Sequence, residues 1–253
     1  MIEKTEYLNL FRPISLAEMD CVKLMNRVDK KFVLPACRLA SLMNNVSSGY
    51  SILEINSQRC FQYTSVYFDT RSMAMYYDHH NGCLNRYKIR HRTYNDTNTG
   101  FLEIKLKTNK NRTVKNRIPV SFDYPFSSES TMFLSSMAPF APDALEPMLK
   151  NNFNRITLVD IVSQERVTID RSISFRSEET GNIIELPEIV VCEIKQDRRN
   201  GASRIETALE NFGYKTCSIS KYCIGSALLN HNVRTNNFKS KLRKIEKIQS
   251  YNY

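Results

Sequence analysis

Tryptophan is absent from the 253 residues, and only seven are glycine. Neither G-x-x-x-x-G-K-[ST] nor G-x-G-x-x-G occurs, so both common glycine-rich loops that cradle nucleotide phosphates are missing. No segment approaches the ~18 consecutive apolar residues of a membrane-spanning helix. The opening Met1-Ile2-Glu3-Lys4-Thr5-Glu6 lacks the basic-then-apolar order of a secretory signal. The seven cysteines (21, 37, 60, 83, 192, 217 and 223) are an odd, scattered set without a C-x-x-C pair. That argues against a disulfide framework or a zinc site and for reduced thiols, as in a cytoplasm. With only four histidines, none suggests itself as a general base; His79, His80 and His91 read as surface or turn residues.

What the chain has in excess is positive charge: 36 Lys+Arg against 26 Asp+Glu, net +10. Such a balance points to a polyanionic partner, whether nucleic acid, anionic lipid or a phosphate-rich small molecule. The length is enough for one large domain or two small ones with a real core.

Apolar spacing at Leu16, Met19, Val22 and Met25 predicts a helix over 16–26 capped by Ser15, and a second helix follows near 36–48. Strands are expected at 27–34, 62–69, 86–94, 101–108, 112–122, 155–162, 164–175, 183–185 and 188–196. Four prolines and a serine-rich run make 125–154 read as a crossover of loop and short helices. Helices are expected at 204–213 and 221–231. The tail from Asn232 to Tyr253 is polar and basic with helical character around 238–249, and it reads as a solvated helix, a polyanion-facing surface or a closure of one mouth.

Several strands alternate strictly, and the polar set on one face is ionic. Residues 86–92 give Arg86, Lys88, Arg90 and Arg92; 101–107 give Glu103, Lys105 and Lys107; 112–120 give Lys115 and Arg117. Arg27, Asp29 and Lys31, then Arg166 and Asp170, then Glu193 and Lys195 continue the pattern on other strands. Because side chains alternate faces, each strand has an apolar side and an ionic side. Residues 86–117 hold ten basic and two acidic residues, most of the net charge. Like charges opposite one another across strands cost roughly 0.2–1 kcal/mol per pair. Such a face must be solvated or must enclose an anion. The near absence of Thr, Ser and Gln on it favours the anion. The two E-I-K triplets, Glu103-Ile104-Lys105 and Glu193-Ile194-Lys195, put a carboxylate beside cations, as a metal bridging to phosphate requires.

These segments resemble the VTC domain family within the triphosphate tunnel metalloenzyme superfamily. The matching stretches run in order: Arg27-Val-Asp-Lys-Lys-Phe-Val-Leu34, Tyr67-Phe-Asp-Thr70, Lys88-Ile-Arg-His-Arg-Thr-Tyr94, Phe101-Leu-Glu-Ile-Lys105 and Thr113-Val-Lys-Asn-Arg117. Phe153-Asn-Arg155, Arg166-Val-Thr-Ile-Asp-Arg171, Cys192-Glu-Ile-Lys195 and Ser218-Ile-Ser-Lys-Tyr222 complete the set. The resemblance implies an α+β fold, an antiparallel eight-stranded β-tunnel closed as a barrel with flanking helices. It spans about residues 20–230, and the expected division is a tunnel domain over 1–231 with 232–253 as a basic tail. It further implies transfer of the ATP γ-phosphate onto a polyphosphate chain, with Mn²⁺ or Mg²⁺.

By motif, the resemblance places the catalytic cations on Lys31, Arg90, Arg92, Lys105, Arg155, Arg166 and Lys221. It places further phosphate contacts on Lys115 or Arg117 and on the Ser220 hydroxyl, and the metal carboxylate on Glu193; the charged faces add Lys88, Lys107 and Lys195 to the phosphate-binding candidates. The implied partners are ATP and polyphosphate, with no specific nucleic acid and room for a membrane-protein partner of a cytoplasmic protein. Three departures stand out. Arg27 replaces the first carboxylate of the hydrolases' E-x-E-x-K strand, which favours the polymerase branch over a hydrolase. Phe153 stands where tyrosine is frequent, and Ser218 where a basic residue is frequent. A non-catalytic polyphosphate or inositol-phosphate binding module and a tunnel triphosphatase are the alternatives. Nucleic-acid binding calls for exposed stacking aromatics, and here the aromatics read as lying mostly off the charged face.

Overall fold

In the computed structural model, residues 6–22, 27–110, 112–197, 200–201 and 203–250 are described. The strands are β1 (Arg12–Ile14), β2 (Arg27–Pro35), β3 (Ser51–Leu53), β4 (Phe61–Thr70), β5 (Arg86–Tyr94), β6 (Thr99–Lys107), β7 (Thr113–Pro119), β8 (Leu145–Asp160), β9 (Glu165–Ser177), β10 (Ile183–Leu186) and β11 (Ile189–Asp197). The helices are α1 (Leu16–Met19), α2 (Leu39–Val46), α3 (Ala74–His80), α4 (Ser128–Met137), α5 (Arg204–Asn211), α6 (Lys221–Leu229) and α7 (Lys239–Ser250).

Eight strands pair in the order β2-β11-β9-β8-β4-β5-β6-β7, every pair antiparallel. The sheet curls into a half-barrel so strong that Lys31 on β2 acts on the charge of Lys105 on β6, near the other end of the path. It does not close as the resemblance implied: among the described residues β2 and β7 do not pair. β7 has the marks of an edge strand, being short, largely exposed, studded with Lys115 and Arg117, and ended by Pro119, which has no N–H to donate.

Binary patterning then distributes the helices. Phe32, Leu34, Val167, Ile169, Val190, Cys192 and Ile194 point to the convex side, where they bury against Leu42 and Met43 of α2 and Leu209 of α5. α4 covers the convex side of β4, β5 and β6, with Leu134 against Phe68, Ile89 and Ile104. α6 lies on the concave side. It packs on Val33, Tyr67, Leu149, Phe175 and Val191 and plugs one end of the hollow; Phe238, Ile245 and Ile248 of the C-terminal segment join that same core. A bulge on β9 sets Ser172, with φ 50°, and Ile173 together opposite Phe153 of β8 and shifts the pleat by one residue. Asp170 and Phe175 thereby share the concave face despite their odd separation.

Gly225 sets how close α6 approaches. A Cβ there would stand 2.5 Å from Phe175 Cδ1 and 2.6 Å from Leu149 Cδ2, both on the sheet. Gly225→Ala is expected to lower stability by about 1–3 kcal/mol through overpacking, read as a lower urea midpoint at unchanged slope.

Three expectations need correction. The stretch 125–154 is not wholly loop and helix, because β8 begins at Leu145. Pro147 sits at a register shift, where its missing N–H costs no ladder bond, and Asn151 and Asn152 hide the strand pattern. The helix expected over 16–26 spans Leu16–Met19; residues 23–26 lie outside the described set, as do the outermost residues of both expected domains. Two of the histidines read as surface or turn residues are buried: His80 and His91 are 5% and 3% exposed, while His79 is half-buried, and His79 and His80 belong to α3, a helix the sequence pattern did not announce. No helix among the described residues is long and apolar enough to cross a membrane.

Candidate functional site

The sheet register brings the ionic residues of successive strands together on the concave face. Lys88 stands opposite Lys105, Lys105 opposite Lys115, Arg86 opposite Lys107, and Arg90 and Arg117 flank Glu103. On the other wing Glu193 stands opposite Lys31 and Thr168, Lys195 opposite Asp29 and Arg166, and Arg155 opposite Asp170. The candidate strand residues Lys31, Lys88, Arg90, Arg92, Lys105, Lys107, Lys115, Arg117, Arg155, Arg166, Glu193 and Lys195 thus share one face. α6 supplies Lys221 and its cap residue Ser220 from the plugged end.

Three acids hold this crowd of cations together. Glu103, 1% exposed, accepts from Arg90 Nε and Nη2 at 2.8 and 2.6 Å and pairs with Lys115. Asp170, 2% exposed, accepts from Arg155 Nε and Nη2 at 2.6 and 2.8 Å and pairs with Lys221. Burial alone would raise both carboxyls, yet the adjoining cations outweigh it and hold each far below the usual range. Glu193 is held more loosely, 3.4 Å from Lys195 Nζ and 3.8 Å from Lys31 Nζ, and its pKa is likewise well lowered.

The remaining cations have weaker company. Lys88 donates to Ser220 Oγ at 2.9 Å, and that oxygen also caps α6 by accepting from Cys223 N. Arg92, 7% exposed, donates to Ser65 Oγ at 3.2 Å and lies 5.6 and 5.7 Å from the ring centres of Tyr63 and Phe153. Burial, then repulsion from Arg90 and Arg155, lowers it to about 10. Arg117 stacks on Phe101 at 4.4 Å. Arg166 donates from Nη2 to the carbonyl of Met19. Burial and then Lys31 push Lys105 down to about 7 despite the pull of Glu193, and burial pushes Lys115 down to about 8.

Tyr63, Tyr67, Phe101 and Phe153 therefore do lie on the charged face, contrary to the sequence reading. β4 and β8 carry apolar or aromatic residues toward both sides, so alternation did not reveal which rings face inward. Tyr67 and Phe153 are buried beneath the arginines, a floor for guanidinium stacking rather than an open platform for bases. In the structure Asp69 is a brace. Fully buried, it accepts from Thr70, Met75 and Tyr76 backbone N–H groups and, at 2.5 Å, from the Tyr222 hydroxyl, tying α3 to α6.

The depressed lysines make stability depend on pH with a definite sign. Lys105 and Lys115 titrate near 7 and 8 when folded and near ~10.4 unfolded, so the unfolded chain binds more protons between these limits. Stability of the ligand-free protein is expected to rise from about pH 7 to 8.5. Above that the buried thiols act oppositely, since burial raises Cys60 to about 11 and holds Cys192 and Cys223 high. Tm against pH, with and without tripolyphosphate, checks this: bound polyanion keeps the lysines charged and flattens the rise.

Among the described residues no three His, Cys, Asp or Glu side chains cluster as a metal site. Glu103 and Asp170 are committed to cations; Glu193, whose two ammonium partners stand at 3.4 and 3.8 Å, is the least tightly held of the three and the one placed to take an ion. A hard divalent cation commonly binds through one or two carboxylates plus substrate phosphates. This donor set suits an ion arriving with its phosphates, not one resident in the protein alone.

A family model described as VTC domain matches residues 26–230. No curated protein matches the chain in sequence. A candidate adenylate cyclase from Bacillus halodurans shares the fold at TM-score 0.50 and 11% identity, over 78% of this chain and 94% of that one. A candidate adenylyl cyclase from Hippeastrum, described as revealing a dominant triphosphatase activity, aligns at TM-score 0.49 and 14% identity over 80% and 96%. Another candidate adenylate cyclase, from Vibrio parahaemolyticus, aligns at 0.48 and 11% over 81% and 99%.

Proposed function

The chain belongs to the VTC domain family, and on that footing we propose that it is a polyphosphate polymerase, moving the γ-phosphoryl of ATP onto the end of a phosphate chain held on its concave face. One observation carries the reading: cations from β2, β5, β6, β7, β8, β9, β11 and α6 converge on one trough around Glu103, Asp170 and Glu193, and among the described residues they far outnumber the acids there. Their surplus charge calls for an extended anion.

Phosphoryl transfer spreads charge over the equatorial oxygens, so catalysis is chiefly positioning and electrostatics. Arg90, Arg92 and Arg155 offer planar, bidentate grips whose rotamers are fixed by Glu103, Asp170 and the aromatic floor. Lys31, Lys88, Lys105, Lys107, Lys115, Arg117, Arg166, Lys195 and Lys221 add charges along the trough, with the Ser220 hydroxyl at its plugged end. In the step, a terminal oxygen of the chain forms a bond to the γ-phosphorus while the bond from that phosphorus to the β,γ-bridging oxygen breaks. ADP leaves with the electron pair. The attacking oxygen is already ionised, so no general base is required, which suits a face without histidine. Glu193 would hold a Mn²⁺ or Mg²⁺ ion together with phosphate oxygens, and the ion would neutralise charge on the leaving diphosphate.

The test is incubation of the protein with ATP and Mn²⁺ or Mg²⁺, reading acid-stable polyphosphate and free phosphate, with Glu193→Ala as control. Polymer formed by the native chain and lost in the variant is expected. Free phosphate without polymer would make the protein a triphosphatase. Neither product, with phosphate-dependent stabilisation intact, would make it a binding module.

A further inference from the structure

The family match ends at residue 230, but the fold does not. A 3₁₀ turn, Asn236–Phe238, leads into α7. Phe238 is buried with its ring 5.8 Å from that of Tyr76, 5.3 Å from His80 and 6.0 Å from His79. Asn237 donates through Nδ2 to the carbonyl of His80 at 2.8 Å, and the Tyr76 hydroxyl donates to the carbonyl of Arg234 at 2.8 Å. Ile245 and Ile248 complete the anchoring. The segment is therefore fastened to α3, just ahead of β5.

That is the end of the trough where Arg86 and Lys107 stand directly opposite each other. Lys241 of α7 rides over the Phe238 ring at 5.3 Å, which keeps its ammonium at the same end. Burial and then the charges of Lys88, Arg86, Lys241 and Lys107 together hold the nearby His79 imidazole neutral down to about pH 2, a mark of how cationic this corner is. Among the described residues, none of Arg86, Lys107 and Lys241 has a carboxylate within ion-pair distance. At the opposite end acids are interspersed with the cations: Lys195 has Asp29 on one side and Arg166 on the other, and Asp197 ends the same strand. At the plugged end α6 fills the hollow over β8 and β9, so what stays cation-lined is the corner beside β5 and β6.

Resting on the phosphate-chain reading of the trough, we propose that a linear polyphosphate longer than the trough leaves by this corner, guided by Arg86, Lys107 and the C-terminal segment through Lys241. From Arg86 to Arg92 the trough runs roughly 20 Å at about 3.3 Å per residue. Tripolyphosphate is short enough to stay inside it, whereas a long chain has to protrude at one end.

The experiment titrates tripolyphosphate and a long-chain polyphosphate into the native protein, Lys241→Gln and Lys241→Glu at several salt concentrations, with Tm recorded for each. Long-chain affinity is expected to fall in Lys241→Gln and further in Lys241→Glu, while tripolyphosphate affinity keeps its native value. The salt slope for the long chain is expected to shrink by about 0.7 in Lys241→Gln, the change that follows when one cation no longer neutralises a phosphate of a single-stranded polyanion. Unchanged long-chain affinity and slope in both variants, with tripolyphosphate still bound, would overturn the exit corner and leave the trough standing. Failure of tripolyphosphate to bind the native protein would overturn both. Should Lys241→Glu unfold, the neutral variant decides alone.

Discussion

Glu103→Gln is expected to destabilise the protein by about 3–5 kcal/mol, the range for a buried charge stripped of its partner. The carboxylate lies at 1% exposure between Arg90 and Lys115, with Arg92 adding to the charges it balances. The amide keeps the shape and still accepts one hydrogen bond, but it leaves the cations unopposed. Because the deficit is one of negative charge, polyphosphate or high phosphate is expected to restore part of the lost Tm, and to a greater degree than it stabilises the native protein. A comparable loss that phosphate does not reduce would mean that Glu103 acts by packing alone. Urea unfolding with and without ligand makes the comparison.

Lys105→Ala is expected to move stability and turnover in opposite directions. Lys105 faces Lys88 and Lys115 across β5 and β7 and has no ion-pair partner among the described residues. Its pKa of about 7 reports the cost of its burial among like charges. Removing it is expected to raise Tm most near pH 6.5, where the native ammonium is charged, with the gain shrinking as pH rises from about 7 toward ~10.4. The same substitution is expected to lower kcat by about 10²–10³, the effect of deleting one preorganised charge in a site of this kind. A variant that is more stable and less active is the signature of a charge kept for function. Equal activity would exclude Lys105 from the site.

Much of this was legible in the sequence because the β period is rigid. Arg86, Lys88, Arg90 and Arg92 must share a face if 86–94 is a strand, and the register did bring them beside Lys105 and Lys115. The order of motifs carried the family. Less visible was the pairing logic: Glu103 and Asp170 were seen on charged faces, but that each is clamped by two cations depends on strands far apart in the chain. The aromatic floor escaped because Tyr63, Tyr67 and Phe153 sit on strands apolar toward both sides. Barrel closure was an inheritance from the resemblance, and the polar, proline-ended β7 explains why the sheet stops short. β8 was half hidden by Pro147 and two asparagines, which break the alternation without breaking the strand.

The most direct measurement is calorimetric titration of tripolyphosphate into the purified protein at low and moderate salt, with Lys105→Ala alongside. Tight binding that weakens steeply with salt and falls in the variant is predicted, since the trough is a row of cations awaiting a linear anion. No binding at low salt, or binding indifferent to both salt and Lys105→Ala, would contradict a phosphate-chain site on the concave face.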